Sequence, residues 1–209
     1  EKSLPLSAVQ EKCIQKGLNP RIWLNDGYRL LFRDIARNDD TRTLICCLAP
    51  SGYVSSYDTP MIVPEVAGNL IKPSLAYVCG LLNSFAFDFL IRPFVDKHIK
   101  GYVLKRLPIP SYTPENNVIE RISELSLETA ALSTELMRGL TESSNQYRQL
   151  RAKLDALVAH YLKLNLYELN VVLESFTSLR EQEKLSYGEF ISANLIREEF
   201  SKLTTLVNA

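Results

Sequence analysis

The stretch "SLAYVCGLLNSFAFDFLI", residues 74–91, constrains the fold more than any other part of the chain. Val78, Leu81, Leu82, Phe85 and Phe89 share one helical face, and the rest of the circumference is almost as apolar. A helix of this kind must be covered by other elements on most of its sides, and Pro93 closes it. No window approaches about 18 consecutive apolar residues, so no membrane span is expected. A chain of 209 residues is long enough to supply the cover, as one substantial core or two small ones.

The residues before this helix read as short strands and turns. "LSAVQEKCIQKG" (6–17) has helical spacing at Leu6, Val9, Cys13 and Ile14, with Gly17 as a stop. "YRLLFRDIA" (28–36) is rich in aromatic and branched residues and is expected to be a strand. "NDD" (38–40) makes a turn, "TRTLICCLAP" (41–50) a second strand, "SGYVSSYDTP" (51–60) a polar loop, and "MIV" (61–63) a short strand between prolines. A basic run over 92–106 follows the helix. "LPIPSYTP" (107–114) then holds three prolines in eight residues, which reads as a stiff connector and a domain boundary.

The back half is helical. Thr113 is expected to cap a helix starting at Pro114, with an apolar seam at Val118, Ile122, Leu125, Leu132 and Leu136. Ser143 with Gln146 fits a capping box, and Tyr147, Leu150, Leu154, Leu157 and Tyr161 recur at helical spacing behind it. Asn165 with Glu168 fits another box. Residues 178–209 have the pattern of one more helix. The expected fold class is α+β, with a small mixed α/β module over 1–110 and a helical hairpin extension over 111–209.

Charge separates the same halves. Residues 1–110 carry 14 Lys and Arg against 10 Asp and Glu, and residues 111–209 carry 10 against 14, inside a net charge of zero. This division fits either an anion meeting only the front half or ordinary solvated helix faces. The cysteines Cys13, Cys46, Cys47 and Cys79 form no C-x-x-C pair. With only two histidines no zinc site is expected, and the thiols read as buried in a reducing cytoplasm. No signal-peptide pattern is present, and an opening at Glu1 without a methionine is expected of a fragment or a processed chain.

No reaction centre can be read from the motifs. The chain lacks a G-x-S-x-G elbow, an H-E-x-x-H pair, a phosphate-binding loop and a G-x-G-x-x-G turn. His160 lies within an amphipathic helix, where a packed or surface histidine is the simpler reading. Asp39 and Asp40 are expected to solvate or cap their turn. A binding reading finds more. Arg29 and Arg33 would share a face of a regular strand, and Arg37 and Arg42 flank the turn. Ser55, Ser56 and Tyr57 fill a loop able to reach phosphates or base edges. Lys97, His98, Lys100 and Lys105 add positive charge around Tyr102. Arginine suits bidentate contact with phosphate or guanine, and interleaved cations and rings suit nucleic acid. The expectation is that these groups cluster on one exposed wall, although short basic runs also occur on solvated surfaces.

Three stretches resemble one family. "YRLLFRDIARNDDTRTLICCLAP" is similar to an aromatic-Arg-x-x-F-R-D-I-A-R pattern followed by a polar turn, R-T-x-I and a strand ending in proline. "LAYVCGLLNSFAFDFLIRPFVDKHIKGYVLKRLPIP" is similar to L-x-x-L-L-N-S-x-x-F-D-x-x-x-R with a basic linker and a closing L-P-x-P. "LRAKLDALVAHYLKLNLYELNVVLESF" is similar to a terminal L-R-x-x-L-D-A-L-V-A helix and a short helix after it. Together, over roughly residues 28–176, they resemble the target-recognition region of type IIG restriction–modification methyltransferases, and related type I-like single-chain and phage-defence BREX enzymes.

The resemblance implies a DNA-recognition role without chemistry in this chain. The S-adenosylmethionine loop and the Asn-Pro-Pro-Tyr/Phe motif of the methyltransferase proper are absent, and "LNPRI" (18–22) does not supply the latter. Duplex DNA and a methyltransferase domain of the parent polypeptide are then the expected partners. S-adenosylmethionine is expected as the parent's cofactor, with no cofactor and no metal in this chain. Where the family commonly has Thr-His-Leu-Asn-aromatic, this chain has Lys97-His98-Ile99-Lys100-Gly101-Tyr102, so His98 matches and the Asn has no counterpart. The resemblance makes a phosphate contact or a structural hydrogen bond the expected role of His98. It leaves open whether the parent also cleaves DNA. A protein-interaction or assembly module, using the seams at 118–136 and 147–161, is the alternative.

Overall fold

A computed structural model describes residues 11–12, 14–17, 28–50, 58–62, 71–139 and 144–207. It is α+β, as the patterning leads one to expect. Three short antiparallel strands, β1 (Arg29–Phe32), β2 (Cys46–Ala49) and β3 (Met61–Ile62), form a sheet in the order β2-β1-β3. The register pairs Arg29 with Ala49, Phe32 with Cys46 and Leu30 with Ile62. Alternation puts Leu30, Phe32 and Cys46 in the core and leaves Cys47 exposed. The first strand is much shorter than its β-rich sequence suggests. Beyond Phe32 the chain bonds to loops, and Ile35 makes an isolated antiparallel bridge to His98.

The long apolar run is two helices. α1 (Ile71–Leu82) and α2 (Phe85–Ile91) meet at Asn83–Ser84 with a bend of 67° measured through Phe94. Ser84 leaves helical geometry and caps α2, its Oγ accepting from the Phe87 N–H and donating to the Leu81 carbonyl. α1 is buried on most of its circumference, as its composition requires. A single 3-10 turn, Arg92–Phe94, and a one-turn helix, α3 (Gly101–Leu104), carry the chain to the proline-rich connector.

Five helices follow: α4 (Asn117–Met137), α5 (Ser144–Tyr161), α6 (Leu166–Glu174), α7 (Thr177–Tyr187) and α8 (Ile191–Val207). The cap of α4 is Asn116, which accepts from the Val118 and Ile119 N–H groups, three residues beyond the expected Thr113. The Asn165–Glu168 capping box is present with both bonds made. Ser143, the cap of the expected Ser143–Gln146 box, lies outside the described residues. The tail is two helices, because Gly188 takes a left-handed φ of 80° and stops α7.

One core runs across the connector. Leu30, Leu44, Tyr77, Leu81, Ile99 and Val103 pack in the same cluster as Ile119, Ile122, Leu125, Leu154 and Leu157. The connector is part of that packing: Leu107 is buried and the Pro110 carbonyl accepts from the Tyr77 hydroxyl. The boundary expected at 110/111 therefore does not separate two cores. A second cluster joins Phe85, Phe176, Phe190 and Phe200 to Ala152, Ala156 and Ala159. α5 thus buries its leucine face in one cluster and its alanine face in the other. The expected two-helix hairpin is a layer in a larger helical stack, with α4 packed on both α1 and α5, and α8 on α5. Among the described residues no single helix is long and apolar enough to cross a membrane.

Candidate nucleic-acid interface

The turn after β1 is built from its own charges. Asp40 accepts from the Arg37 N–H at 3.1 Å and from the Arg33 guanidinium at 3.1 Å. The same Arg33 group donates to the carbonyls of Arg42 and Thr43, and the Thr43 hydroxyl closes the turn onto the Arg37 carbonyl at 2.7 Å. The two acids therefore act locally: Asp40 caps, and Asp39 stays exposed 3.6 Å from Arg37.

Beneath the turn lies Asp88, whose side chain is 0% exposed. It accepts from Arg42 Nε at 2.7 Å, Arg92 Nε at 3.1 Å and the Thr43 N–H at 3.1 Å. Both guanidiniums lie over aromatic faces, Arg42 at 4.4 Å from the Phe85 centroid and Arg92 at 3.9 Å from that of Phe176. Burial of the carboxylate is balanced by three donors, and the cations are covered by rings that still attract them.

These contacts correct the expectation of an arginine wall. Arg42 is turned inward onto Asp88, and Arg33 is committed to Asp40 and two carbonyls. Arg29 is only 3% exposed, in the central strand. Arg33 lies one residue past the end of β1, so the regular alternation that would align it with Arg29 does not extend to it. Of the four front arginines, only Arg37 presents an open side chain, 74% exposed. Ser55, Ser56 and Tyr57 lie outside the described residues.

The second half of the expected site is gathered at the surface. The Ile35–His98 bridge is continued by an Ala36 N–H to Lys97 carbonyl bond at 3.1 Å and an Ile99 N–H to Asp34 carbonyl bond at 2.7 Å. It sets the Ala36 backbone beside that of Lys97, with Arg37 the next residue along. Asp34 lies fully buried under this bridge and takes Lys100 Nζ at 2.6 Å and His98 Nδ1 at 3.2 Å on one oxygen. Burial works against the Asp34 charge, but Lys100 and His98 outweigh it and hold the carboxyl below its usual range. With Nδ1 on Asp34, the other ring nitrogen of the half-exposed His98 is free to meet a ligand.

Lys97, Lys105 and Tyr102 are exposed, Tyr102 to 66%. Two residues absent from the sequence-based site belong with them. Arg106 lies 4.9 Å from the exposed Phe94 ring, a cation on a flat apolar face. Their signal was present in the basic run, but nothing in the spacing of 94 and 106 showed that they meet. This strip offers cations for anionic oxygens and rings for flat groups. Among the described residues no group of three His, Cys, Asp or Glu side chains could hold a metal ion. Comparison with protein-family models, with curated proteins and with solved structures gave no match.

Proposed function

We propose that this chain is the DNA-recognition segment of a restriction–modification adenine DNA methyltransferase. It would bind duplex DNA and position the target for a methyltransferase domain elsewhere in the parent polypeptide. The observation that carries the reading is the antiparallel bridge at Ile35 and His98. It joins two of the motif stretches that bear the family resemblance, laying residues 34–36 against 97–99, with His98 and Lys100 both on Asp34 and Arg37 the next residue along. Phe94 precedes them, and Tyr102, Lys105 and Arg106 follow in the next turns of chain. The cations would contact phosphates, which fixes register, and the rings would lie against sugars or unstacked bases. Asp34 holds Lys100 and orients His98 from below. Arg33 and Arg42 serve the scaffold, so phosphate contact falls to lysine, His98, Arg37 and Arg106. S-adenosylmethionine and the chemistry belong to the parent's other domain.

The alternative, an assembly module built on the helical seams, lacks an open surface for its central residues. Ile122, Leu125, Leu132, Leu154 and Leu157 are buried within the chain. The deciding experiment is a salt titration of binding to a duplex of mixed sequence. Affinity should be measurable at low salt and fall log-linearly as salt rises. Absent or salt-insensitive binding overturns the reading.

A further inference from the structure

Cys46 opens β2 and Cys79 sits within α1, and their free, buried Sγ atoms lie 3.8 Å apart. The fold holds them together independently of sulfur. Asn83, one turn after Cys79, grips the Cys46 backbone twice, donating from Nδ2 to its carbonyl at 2.9 Å and accepting at Oδ1 from its N–H at 3.1 Å. The same Nδ2 is 3.3 Å from Cys79 Sγ. Both cysteines line a cleft of about 530 Å³ between β2, α4 and α5, which opens to solvent and also includes Arg151 and Ser126.

We propose that Cys46 and Cys79 form a dithiol oxidation site that reduces a hydroperoxide and closes to an intrachain disulfide stapling β2 to α1. Cys79 is the nucleophile. The Cys46 thiol beside it favours its thiolate, against burial, and the Asn83 Nδ2 that donates toward its Sγ from 3.3 Å acts in the same direction, with Ser126 and Arg151. Cys46 is pushed the other way by burial and by Cys79, and its Sγ donates toward Cys79 Sγ, which makes it the resolving partner.

In the first step the Cys79 thiolate attacks the terminal oxygen of the hydroperoxide. The O–O bond breaks, the alkoxide leaves as an alcohol after taking a proton, and Cys79 becomes a sulfenic acid. In the second, Cys46 sulfur attacks Cys79 sulfur. The S–O bond breaks and hydroxide leaves as water with the Cys46 proton. Two thiols have lost two hydrogens and one peroxide has been reduced. Closing brings the two sulfurs from the observed separation to a bond of about 2.0 Å.

The test treats the full chain with hydrogen peroxide, blocks remaining thiols by alkylation, and maps the digested protein by mass spectrometry. A peptide linking Cys46 to Cys79 is expected, with the thiol titre of the denatured chain down by two per chain and both restored by dithiothreitol. Cys46→Ser should leave a dimedone-reactive sulfenic acid at Cys79, and Cys47→Ser should change nothing. Should Cys79→Ser fail to fold by circular dichroism, the wild-type link and the Cys46→Ser trap still decide. Oxidation confined to Cys47 or Cys13, or a Cys46–Cys79 link formed only as fast as the chain unfolds, overturns the proposal.

Discussion

Arg42 reaches Asp88 across 46 residues of chain, Nε to Oδ2 at 2.7 Å, with its guanidinium over the Phe85 ring. The contact ties the turn after β1 to α2. Arg92 approaches the other oxygen of the same carboxylate and donates to the Asp40 carbonyl at 2.8 Å, so turn, helix and 3-10 segment share one buried anion. This web sets the backbone from which Arg37 and the Ile35–His98 bridge are presented. Charge that looks like ligand-binding surface in the sequence is here internal support for the fold.

Asp88→Ala should therefore be a folding mutation. It leaves two largely buried guanidiniums facing no carboxylate, a change that typically costs about 3–5 kcal/mol. Arg37→Ala, at an exposed position, should stay within about 0.5 kcal/mol of the parent chain. Urea unfolding followed by circular dichroism measures both. Similar losses at the two sites would refute the division between web and surface.

DNA affinity should respond to the opposite set. Lys97→Ala, Lys105→Ala and Arg106→Ala should each weaken duplex binding with little sequence dependence. Each lost phosphate contact should lower the salt slope by about one. Folding stability should hardly move, since all three side chains are exposed. Fluorescence anisotropy across a salt series reads the slopes. Unchanged slopes in all three variants would remove this strip from the interface.

How far the sequence disclosed this arrangement depends on how local each cause is. The Asn165–Glu168 box was legible because all its bonds lie within four residues. The burial of α1 was legible because its apolar residues leave no polar face. The α4 start was displaced because Thr113 and Asn116 are both competent caps, and the Thr113–Asn116 turn uses the first to reach the second. The break at Asn83–Ser84 was hidden because its cause is partly tertiary: Asn83 is drawn off to the Cys46 backbone. The inward turn of Arg42 was invisible for the same reason, its partner lying far along the chain. The strip at 97–106 was legible as composition, while the bridge that orients it joins residues 35 and 98 and has no local signature.

Gly80 should resist enlargement. It lies where α1 crosses α4 and α5, and an added Cβ would meet Ile122 Cγ2 at 3.0 Å and Leu154 Cδ1 at 3.3 Å. Both neighbours are themselves fully packed, so neither can retreat without disturbing the core. Gly80→Val adds branching at the tightest point, and overpacking of this kind costs about 1–3 kcal/mol. Thermal unfolding should show a lower midpoint than the parent. An unchanged or raised midpoint would mean the helices have room to separate.

Asp34 gives stability a defined acid dependence. Its folded carboxyl titrates below the unfolded value of about 3.9, because Lys100 and His98 favour the anion more than burial opposes it. As pH falls, the unfolded chain takes up its proton first. The stabilisation is thus full above the unfolded pKa and is lost as pH drops through the lower folded one. Asp34→Asn keeps the shape and removes the charge, so at neutral pH it should be less stable by about 2 kcal/mol, the scale of hydrogen bonds to a charged group. The gap to the parent chain should narrow below about pH 4. Urea midpoints of both proteins across the acid range measure it, and a gap of constant size would show that Asp34 acts through packing alone.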